Sequence, residues 1–174
     1  YHLGKEFYGD FGRYEWSITL PAHYIVDGSG ILLNEAEMLP DSLKAKLDLR
    51  RFAHKPLGEP ASVIIPPTTA EKTWRFLAED VHNVAWCASP SFRLAETEWE
   101  GIRCIAIARE QHAAGWQNAA EVCRAYVSDF STRWGRYRYP KMIVSDVESG
   151  MEYPMFTADG GVAPDYITLF GHEI

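Results

Sequence analysis

The sequence lacks the features that mark several classes of protein. It has only three cysteines in 174 residues, and Cys87, Cys104 and Cys123 are widely spaced with no Cys-x-x-Cys pair. Neither a disulfide framework nor a cysteine zinc site is therefore predicted. We expect the three thiols to be buried as small hydrophobic groups. They leave the compartment of the protein open.

Positive charge and long apolar runs are also scarce. Lysine and arginine number 17 against 24 acidic residues, which gives a formal net charge of −7 and argues against a nucleic-acid-binding protein. No apolar run approaches the roughly 18 residues that a membrane-spanning helix needs. The sequence also has no Gly-x-Ser-x-Gly elbow, no P-loop and no dinucleotide-binding glycine pattern, so the common sites of those kinds are excluded.

The first half of the chain has the alternation that is typical of strands. Residues 13–20 alternate, with Tyr14, Trp16 and Ile18 on one face and charged or hydroxyl side chains on the other, which predicts a half-buried strand. Further short apolar or alternating runs predict strands at 31–33, 62–65, 74–78, 81–87 and 102–108. A pair such as Asp80 and His82 would share one strand face, and we expect a structural hydrogen bond between them.

The second half changes to helical spacing. Apolar residues from Trp116 to Trp134 recur every three or four positions, which predicts one amphipathic helix over 113–134. A shorter helix over 41–52 has Asp41 as a plausible N-cap. We expect the aromatic side chains of the long helix to pack inward rather than bind a cofactor or a nucleic acid. The fold class predicted is therefore α+β, with a boundary near residues 88–98, where acidic residues and a proline interrupt the pattern.

The strongest candidate for chemistry is His172 followed by Glu173. In the zinc motif His-Glu-x-x-His, two histidines one helical turn apart reach one zinc ion, and the glutamate activates a water molecule. Only the first histidine and the glutamate occur here, and with six histidines and 24 acidic residues one such pair is expected by chance. The pair therefore needs support from another part of the chain.

That support comes from residues 149–154, Ser-Gly-Met-Glu-Tyr-Pro, which follow the strand-like run 142–144. This order resembles the M1 family of zinc aminopeptidases, relatives of thermolysin, in which a Gly-x-Met-Glu-Asn segment lies on an edge strand shortly before the zinc helix. Residues 76–86 and 134–140 resemble further segments of the same family. By this resemblance, residues 1–95 would be the later part of a mostly β N-terminal domain, and residues 96–174 the start of a zinc peptidase catalytic domain.

The resemblance also implies a role for each matched residue. His172 would be a zinc ligand, and Glu173 would take a proton from the zinc-bound water and deliver it to the leaving amine. Glu152 would hold the free ammonium of a peptide substrate through a charge-assisted hydrogen bond. Gly150 and Met151 would line the cleft, where a residue without a Cβ lets a peptide approach an edge strand closely. The family implies zinc as cofactor, peptides with a free N-terminus as partners, and a cell-envelope or secreted location as in some bacterial members.

The chain departs from the family pattern in ways that bear on activity. Ser149 replaces a usual glycine and Tyr153 a common asparagine, which leaves the side-chain preference open. The second histidine, the downstream glutamate ligand and the transition-state tyrosine of the family would lie beyond Ile174, so we expect the sequence to be cut inside the motif and inactive by itself. Two alternatives stay open: a β-rich binding module in which the His-Glu pair is coincidental, and a pseudo-peptidase that lacks downstream ligands.

Overall fold

The computed structural model of the chain describes residues 9–148, 150–161, 163 and 165–174. Ser149, one of the positions that departs from the family pattern, lies outside the described residues. Strands and helices are both well represented, and the α+β class predicted from the sequence is confirmed. None of the helices among the described residues is long and apolar enough to cross a membrane.

The elements follow one another with helices inserted between groups of strands. The strands are β1 (Gly12–Pro21), β2 (Ile25–Gly28), β3 (Ile31–Leu32), β4 (Glu71–Val81), β5 (Trp86–Ser89), β6 (Phe92–Trp99), β7 (Ile102–Arg109), β8 (Lys141–Asp146), β9 (Gly150–Tyr153) and β10 (Phe156–Asp159). The α-helices are α1 (Glu35–Met38), α2 (Asp41–Leu47), α3 (Ala119–Trp134) and α4 (Asp165–Glu173), and two 3-10 helices span Leu49–Phe52 and Glu110–Trp116.

The first strands form a three-stranded sheet in the order β1-β4-β3 and a ribbon of β2 with β5. Along β1 half-buried and exposed residues alternate, as the sequence predicts, because successive side chains of a strand point to opposite faces. Trp16 of β1 stacks on Phe76 of β4 with ring centroids 4.2 Å apart. Trp74 and Phe76 are almost fully buried and anchor this sheet to the core.

A five-stranded mixed sheet follows, in the order β6-β7-β8-β10-β9. The β7–β8 and β8–β10 pairs are parallel, whereas β6–β7 and β10–β9 are antiparallel. One face packs on the core shared with the first strands, and the other packs on the second 3-10 helix, α3 and α4 through Trp116, Cys123 and Phe170. Within the described residues β9 is an edge strand, and α4 lies beside it.

The long helix differs in part from the prediction. Residues 110–116 form a 3-10 helix, and α3 begins only at Ala119. Cys123 and Val127 are buried as predicted, but the expectation that Trp134 packs inward is wrong, since its side chain is 74% exposed. It packs instead against Phe130 at the helix surface, with ring centroids 4.8 Å apart and the ring planes tilted by 50°.

The cysteine prediction is confirmed, because all three thiols are free and buried. Burial raises the pKa of Cys87 well above its usual range, as expected for a thiol in apolar surroundings.

Two predicted strands are wrong. Residues 62–65 form no strand, because Ser62 donates its backbone N–H and its hydroxyl to the buried carboxylate of Glu110 instead of a neighbouring strand. The run 81–87 is broken, since β4 ends at Val81 and β5 begins at Trp86.

Within the predicted interruption near residues 88–98 the chain turns between β5 and β6 at residues 90–91, whereas the acidic residues 96–98 continue within β6. Their charges alternate with inward-facing side chains, so a strand accommodates them. The division of domains at residue 95 falls inside β6 and stays a prediction. Asp41 is the first residue of α2 rather than its N-cap, a position that Pro40 occupies.

Candidate functional site

A groove of about 480 Å³ lies between the edge strand β9 and the end of α4. Three of the five residues singled out from the sequence, Glu152, His172 and Glu173, line it together. The rest of its lining is aromatic or apolar: Phe11, His82, Tyr137, Tyr139, Met142, Tyr153, Pro154, Met155 and Ile174. The structure thus brings the Met-Glu-Tyr-Pro segment and the His-Glu pair to one concave surface.

Strand register decides which residues of β9 face α4. Gly150 pairs with Asp159 and Glu152 pairs with Thr157 on β10, so these side chains share the face on which α4 lies. Met151 points the other way and packs against the main apolar core. Met151 is therefore not among the residues that line the groove, although its backbone belongs to the same edge strand.

The position of α4 depends on a close approach to α3. A Cβ at Gly171 would lie 2.6 Å from the ring of Tyr126 on α3, a distance that real Cβ contacts essentially never show. Tyr166 and Phe170 of α4 stack with ring centroids 4.7 Å apart and both pack against Trp116. Because Gly171 precedes His172 directly, this helix packing sets where the His-Glu pair meets the groove.

The two glutamates of the groove interact directly. Glu173 is 7% exposed. Burial raises the pKa of Glu173, and the hydrogen bond and charge of Glu152 raise it further, while nearby His172 acts in the opposite direction. Glu173 therefore holds its proton to a higher pH than an isolated glutamate does.

Gly150 has a contact that the sequence did not suggest. A Cβ built there would lie 2.8 Å from Oε1 of Glu173 and 3.3 Å from Cδ1 of Leu169. The missing side chain therefore leaves room for the Glu173 carboxyl group. The expected role of Gly150 in the close approach of a peptide stays a prediction.

We expect the Gly150→Ala substitution to displace the Glu173 carboxyl group while changing the stability by less than about 1 kcal/mol, because the contact is the far end of a flexible side chain. Moving that carboxyl away from Glu152 and into water should lower its pKa, which a carbon-detected NMR titration of Glu173 would report. Gly12→Ala is the control, since its nearest contact would be an ordinary 3.9 Å to the Tyr14 ring. An unchanged titration of Glu173 in Gly150→Ala would contradict this account.

Asp159 belongs to the surroundings of the site and was missed by the sequence analysis. It is fully buried, and its Oδ1 has no hydrogen-bond partner among the described residues. Burial raises the pKa of Asp159 to about 7, hydrogen bonds from Thr157 and the Ser145 backbone oppose the rise, and the charge of Glu173 adds to it. The only sequence signal is an aspartate that closes the apolar run 156–158.

A second buried carboxylate, Asp146 at the end of β8, was also missed. Its oxygens accept hydrogen bonds from the backbone N–H and the guanidinium of Arg109, and His112 Nδ1 lies 2.9 Å from Oδ2. The pairing ties the 3-10 helix over 110–116 to the carboxyl end of the parallel strands. It is a structural anchor for the element that leads into α3.

The donors of the groove do not suffice for a zinc site by themselves. Catalytic zinc needs about three protein ligands. Two imidazoles line the described part of the groove, His172 beside Glu152 and Glu173, and His82, whose ring packs against Phe11. No group of three or more potential metal ligands is found among the residues that the structure describes. The described residues alone therefore supply too few ligands for the zinc ion that the sequence resemblance implies.

Comparison with known proteins gives similarity at the level of structure. No protein-family model matches the sequence, and no curated protein matches it. A crystal structure of Legionella pneumophila aminopeptidase A in complex with aspartic acid is similar with a TM-score of 0.55 and 12% identity, over 85% of this chain and 16% of that one. A mutant of a two-domain M1 zinc metallopeptidase bound to L-tryptophan is similar with a TM-score of 0.53 and 12% identity, over 95% of this chain and 34% of that one.

The chain shares its fold with these peptidases. At 12% identity the likeness concerns the fold alone, and the chain spans only 16% and 34% of the two proteins' lengths. The resemblance read from the sequence is therefore supported in its architecture. The cut inside the zinc motif and the roles of the individual residues stay predictions.

Proposed function

We propose that this chain is the substrate-recognition part of a zinc-dependent aminopeptidase, which removes N-terminal residues from peptides. The observation that carries the proposal is the meeting of Glu152, His172 and Glu173 in one groove beside an edge strand. In a longer protein with further ligands His172 would be one zinc ligand and Glu173 the catalytic proton acceptor. The low identity of the similar structures makes this an inference from fold and site together.

Each part of the site has a task in binding a peptide. Among the described residues β9 is an edge strand, and an edge strand offers backbone groups to which an extended peptide can add as another strand. The exposed carboxylate of Glu152 can accept a hydrogen bond from the ammonium group at the start of that peptide. A cation held there also offsets the negative charge of Glu152 that raises the pKa of Glu173, so Glu173 would release its proton more readily.

We expect the 174-residue chain to bind a short peptide with a free N-terminus and to bind its N-acetylated form at least tenfold more weakly, because acetylation removes the charge that Glu152 recognises. Chemical-shift titration by NMR measures both. Glu152→Gln should abolish the difference between the two peptides, whereas Glu148→Gln, a change at a 91% exposed glutamate, should preserve it. Equal affinity for both peptides in the unmodified chain would contradict the proposal.

Hydrolysis is expected to need more than this chain. With zinc added, the 174-residue protein should not cleave an aminoacyl-nitroanilide above the background rate, since the groove offers too few ligands. A longer protein that supplies a second histidine and a glutamate should cleave it, and a chelator should stop the reaction. Robust hydrolysis by the short chain would be the contrary result. Binding without hydrolysis by the longer protein would identify a pseudo-peptidase.

A further inference from the structure

Apart from the two glutamates, most residues that line the groove have aromatic rings. Phe11 precedes β1, and its side chain is 63% exposed although it lines the groove. The His82 ring meets it edge to face, with centroids 5.4 Å apart. Such a contact holds the Phe11 ring in place while leaving a large part of its surface uncovered.

Two tyrosines complete this wall and are fixed by hydrogen bonds. The Tyr139 hydroxyl donates to the Asp80 carbonyl at 2.8 Å, and the Tyr137 hydroxyl donates to the Lys141 carbonyl at 3.1 Å. Because their polar ends are already engaged with the backbone, the rings offer the groove mainly apolar surface. A rigid aromatic wall of this kind favours another ring, which can stack or pack edge to face against it.

The charges of the groove limit what the ligand can carry. Among the described lining residues there is no lysine or arginine; the ionisable side chains include Glu152 and Glu173, with the imidazoles of His82 and His172 beside them. A ligand carboxylate would therefore meet carboxylates without a guanidinium or ammonium to pair with it. A free amino acid suits this groove poorly, whereas an amine whose carboxyl carbon is in amide linkage suits it well.

We propose that the groove selects an amino-terminal aromatic residue in amide linkage, with Phe11 as the residue that sets the preference for an aromatic side chain. This rests on the proposed function, since Glu152 is taken to hold the ammonium group. The lining supplies the groups that such a ligand needs: the exposed Phe11 ring, two tyrosine rings fixed by hydrogen bonds, and the carboxyl groups of Glu152 on β9 and Glu173 on α4.

The test uses four small probes and the 174-residue protein: L-phenylalaninamide, L-alaninamide, free L-phenylalanine and N-acetyl-L-phenylalaninamide. We expect the first to bind about three- to tenfold more tightly than L-alaninamide, which is the range that one aromatic pair contributes. Free L-phenylalanine should bind more weakly than its amide. NMR titration measures the four dissociation constants under one set of conditions.

Substitutions then separate Phe11 from the glutamates. Phe11→Ala should remove the preference for L-phenylalaninamide over L-alaninamide, whereas Phe11→Tyr, which keeps an aromatic ring at this position, should retain the preference. Trp134→Ala is the matched control, because it removes an aromatic ring on α3 that is 74% exposed and does not line the groove. Far-ultraviolet circular dichroism of each variant confirms that it is folded.

The outcomes distinguish this inference from the function on which it rests. If Phe11→Ala keeps the aromatic preference, or if the unmodified protein has none, the inference is overturned. The proposed function survives that result as long as Glu152→Gln weakens both amides. If Glu152→Gln leaves both amides unaffected while Phe11→Ala abolishes the preference, recognition of the ammonium group fails instead. Tight binding of the N-acetylated probe would likewise overturn recognition of the amine, and no binding of any amide would overturn both.

Discussion

The substitution Arg93→Met is expected to lower the free energy of unfolding by about 3–5 kcal/mol, because it removes the fully buried guanidinium that pairs with the buried Glu110 carboxylate. Arg93 and Glu110 are both fully buried and form a salt bridge between β6 and the start of the 3-10 helix at 110–116. The Arg93 guanidinium also donates to the carbonyl groups of Phe92 and Ser62. Equilibrium denaturation in urea measures the change.

The Glu110 carboxylate accepts several hydrogen bonds, which explains why a large loss of stability is expected. Burial by itself would raise the pKa of Glu110, but hydrogen bonds from the backbone and side chain of Ser62, from Lys55 and from Arg93 outweigh it and lower the pKa. Stability from this group is therefore present above the ordinary glutamate pKa and is lost as the pH falls through the lowered one. Without Arg93 the carboxylate keeps the donors Ser62 and Lys55 but loses a fully buried guanidinium.

Two further variants test the explanation. The double variant Arg93→Met with Glu110→Leu should be more stable than Arg93→Met alone, because no unpaired charge remains. Arg133→Met is the control, since it removes an exposed pair with Asp129 on α3 and should change the stability by less than about 0.5 kcal/mol. A double variant that is less stable than Arg93→Met would show that the pair contributes mainly through packing.

Asp159→Asn is the second substitution with a large expected effect, and it should stabilise the protein at pH 8. The pKa of Asp159 is raised to about 7 from an ordinary value of 3.8. At pH 8 the carboxylate is ionised, buried and incompletely hydrogen-bonded, and the full shift corresponds to at most about 4 kcal/mol. We expect asparagine, which is neutral at every pH used, to recover a part of that energy.

The pH dependence gives this prediction its sign. Between about pH 4 and pH 7 the folded state binds a proton at Asp159 that the unfolded state has released, so this group makes the protein less stable as the pH rises through that window. Below it, Asp159→Asn and the unmodified protein should be alike in this respect. The groups that face Asp159 are Glu173 from α4 and Thr157 on its own strand, and Cys123 of α3 interacts with it electrostatically.

The Thr157 hydroxyl satisfies the Asp159 carboxylate only in part. It donates to Oδ2 of Asp159 at 2.7 Å and also lies 3.2 Å from the Ile143 carbonyl oxygen. A hydroxyl group has one proton, so the two acceptors share it and an ionised Asp159 is left short of donors. Thermal unfolding from pH 4 to pH 8 measures the effect, with Asp10→Asn at an exposed site as control. A stability difference that does not vary with pH would contradict the assignment.

The sequence predicted the structure best where burial repeats regularly along a single strand or helix. Half-buried and exposed side chains alternate along β1, and one face of α3 is buried, because each element has a single apolar side. The segment that contains Glu152 could be placed next to the His-Glu pair through a family pattern. Local periodicity alone would not have joined two segments that lie on different elements.

The remaining errors arise from long-range contacts. The run 62–65 is apolar enough for a strand, but Ser62 bonds to a carboxylate 48 positions away. Trp134 fits the helical stripe, yet it lies in the last turn of α3, beyond the surface that the sheet covers. The burial of Asp159 depends on α4 closing over β10, which no spacing within one segment reveals.

The shortness of β9 limits how far this edge can pair with other molecules. An edge strand can pair with the same strand of another molecule, and long flat edges are hazards for aggregation. Here the edge spans four residues and ends at Pro154, whose nitrogen has no hydrogen to donate to a neighbouring strand. The four-residue edge of β9 is thus long enough to pair with the first residues of a peptide and too short to pair stably with the same edge of other copies of the chain.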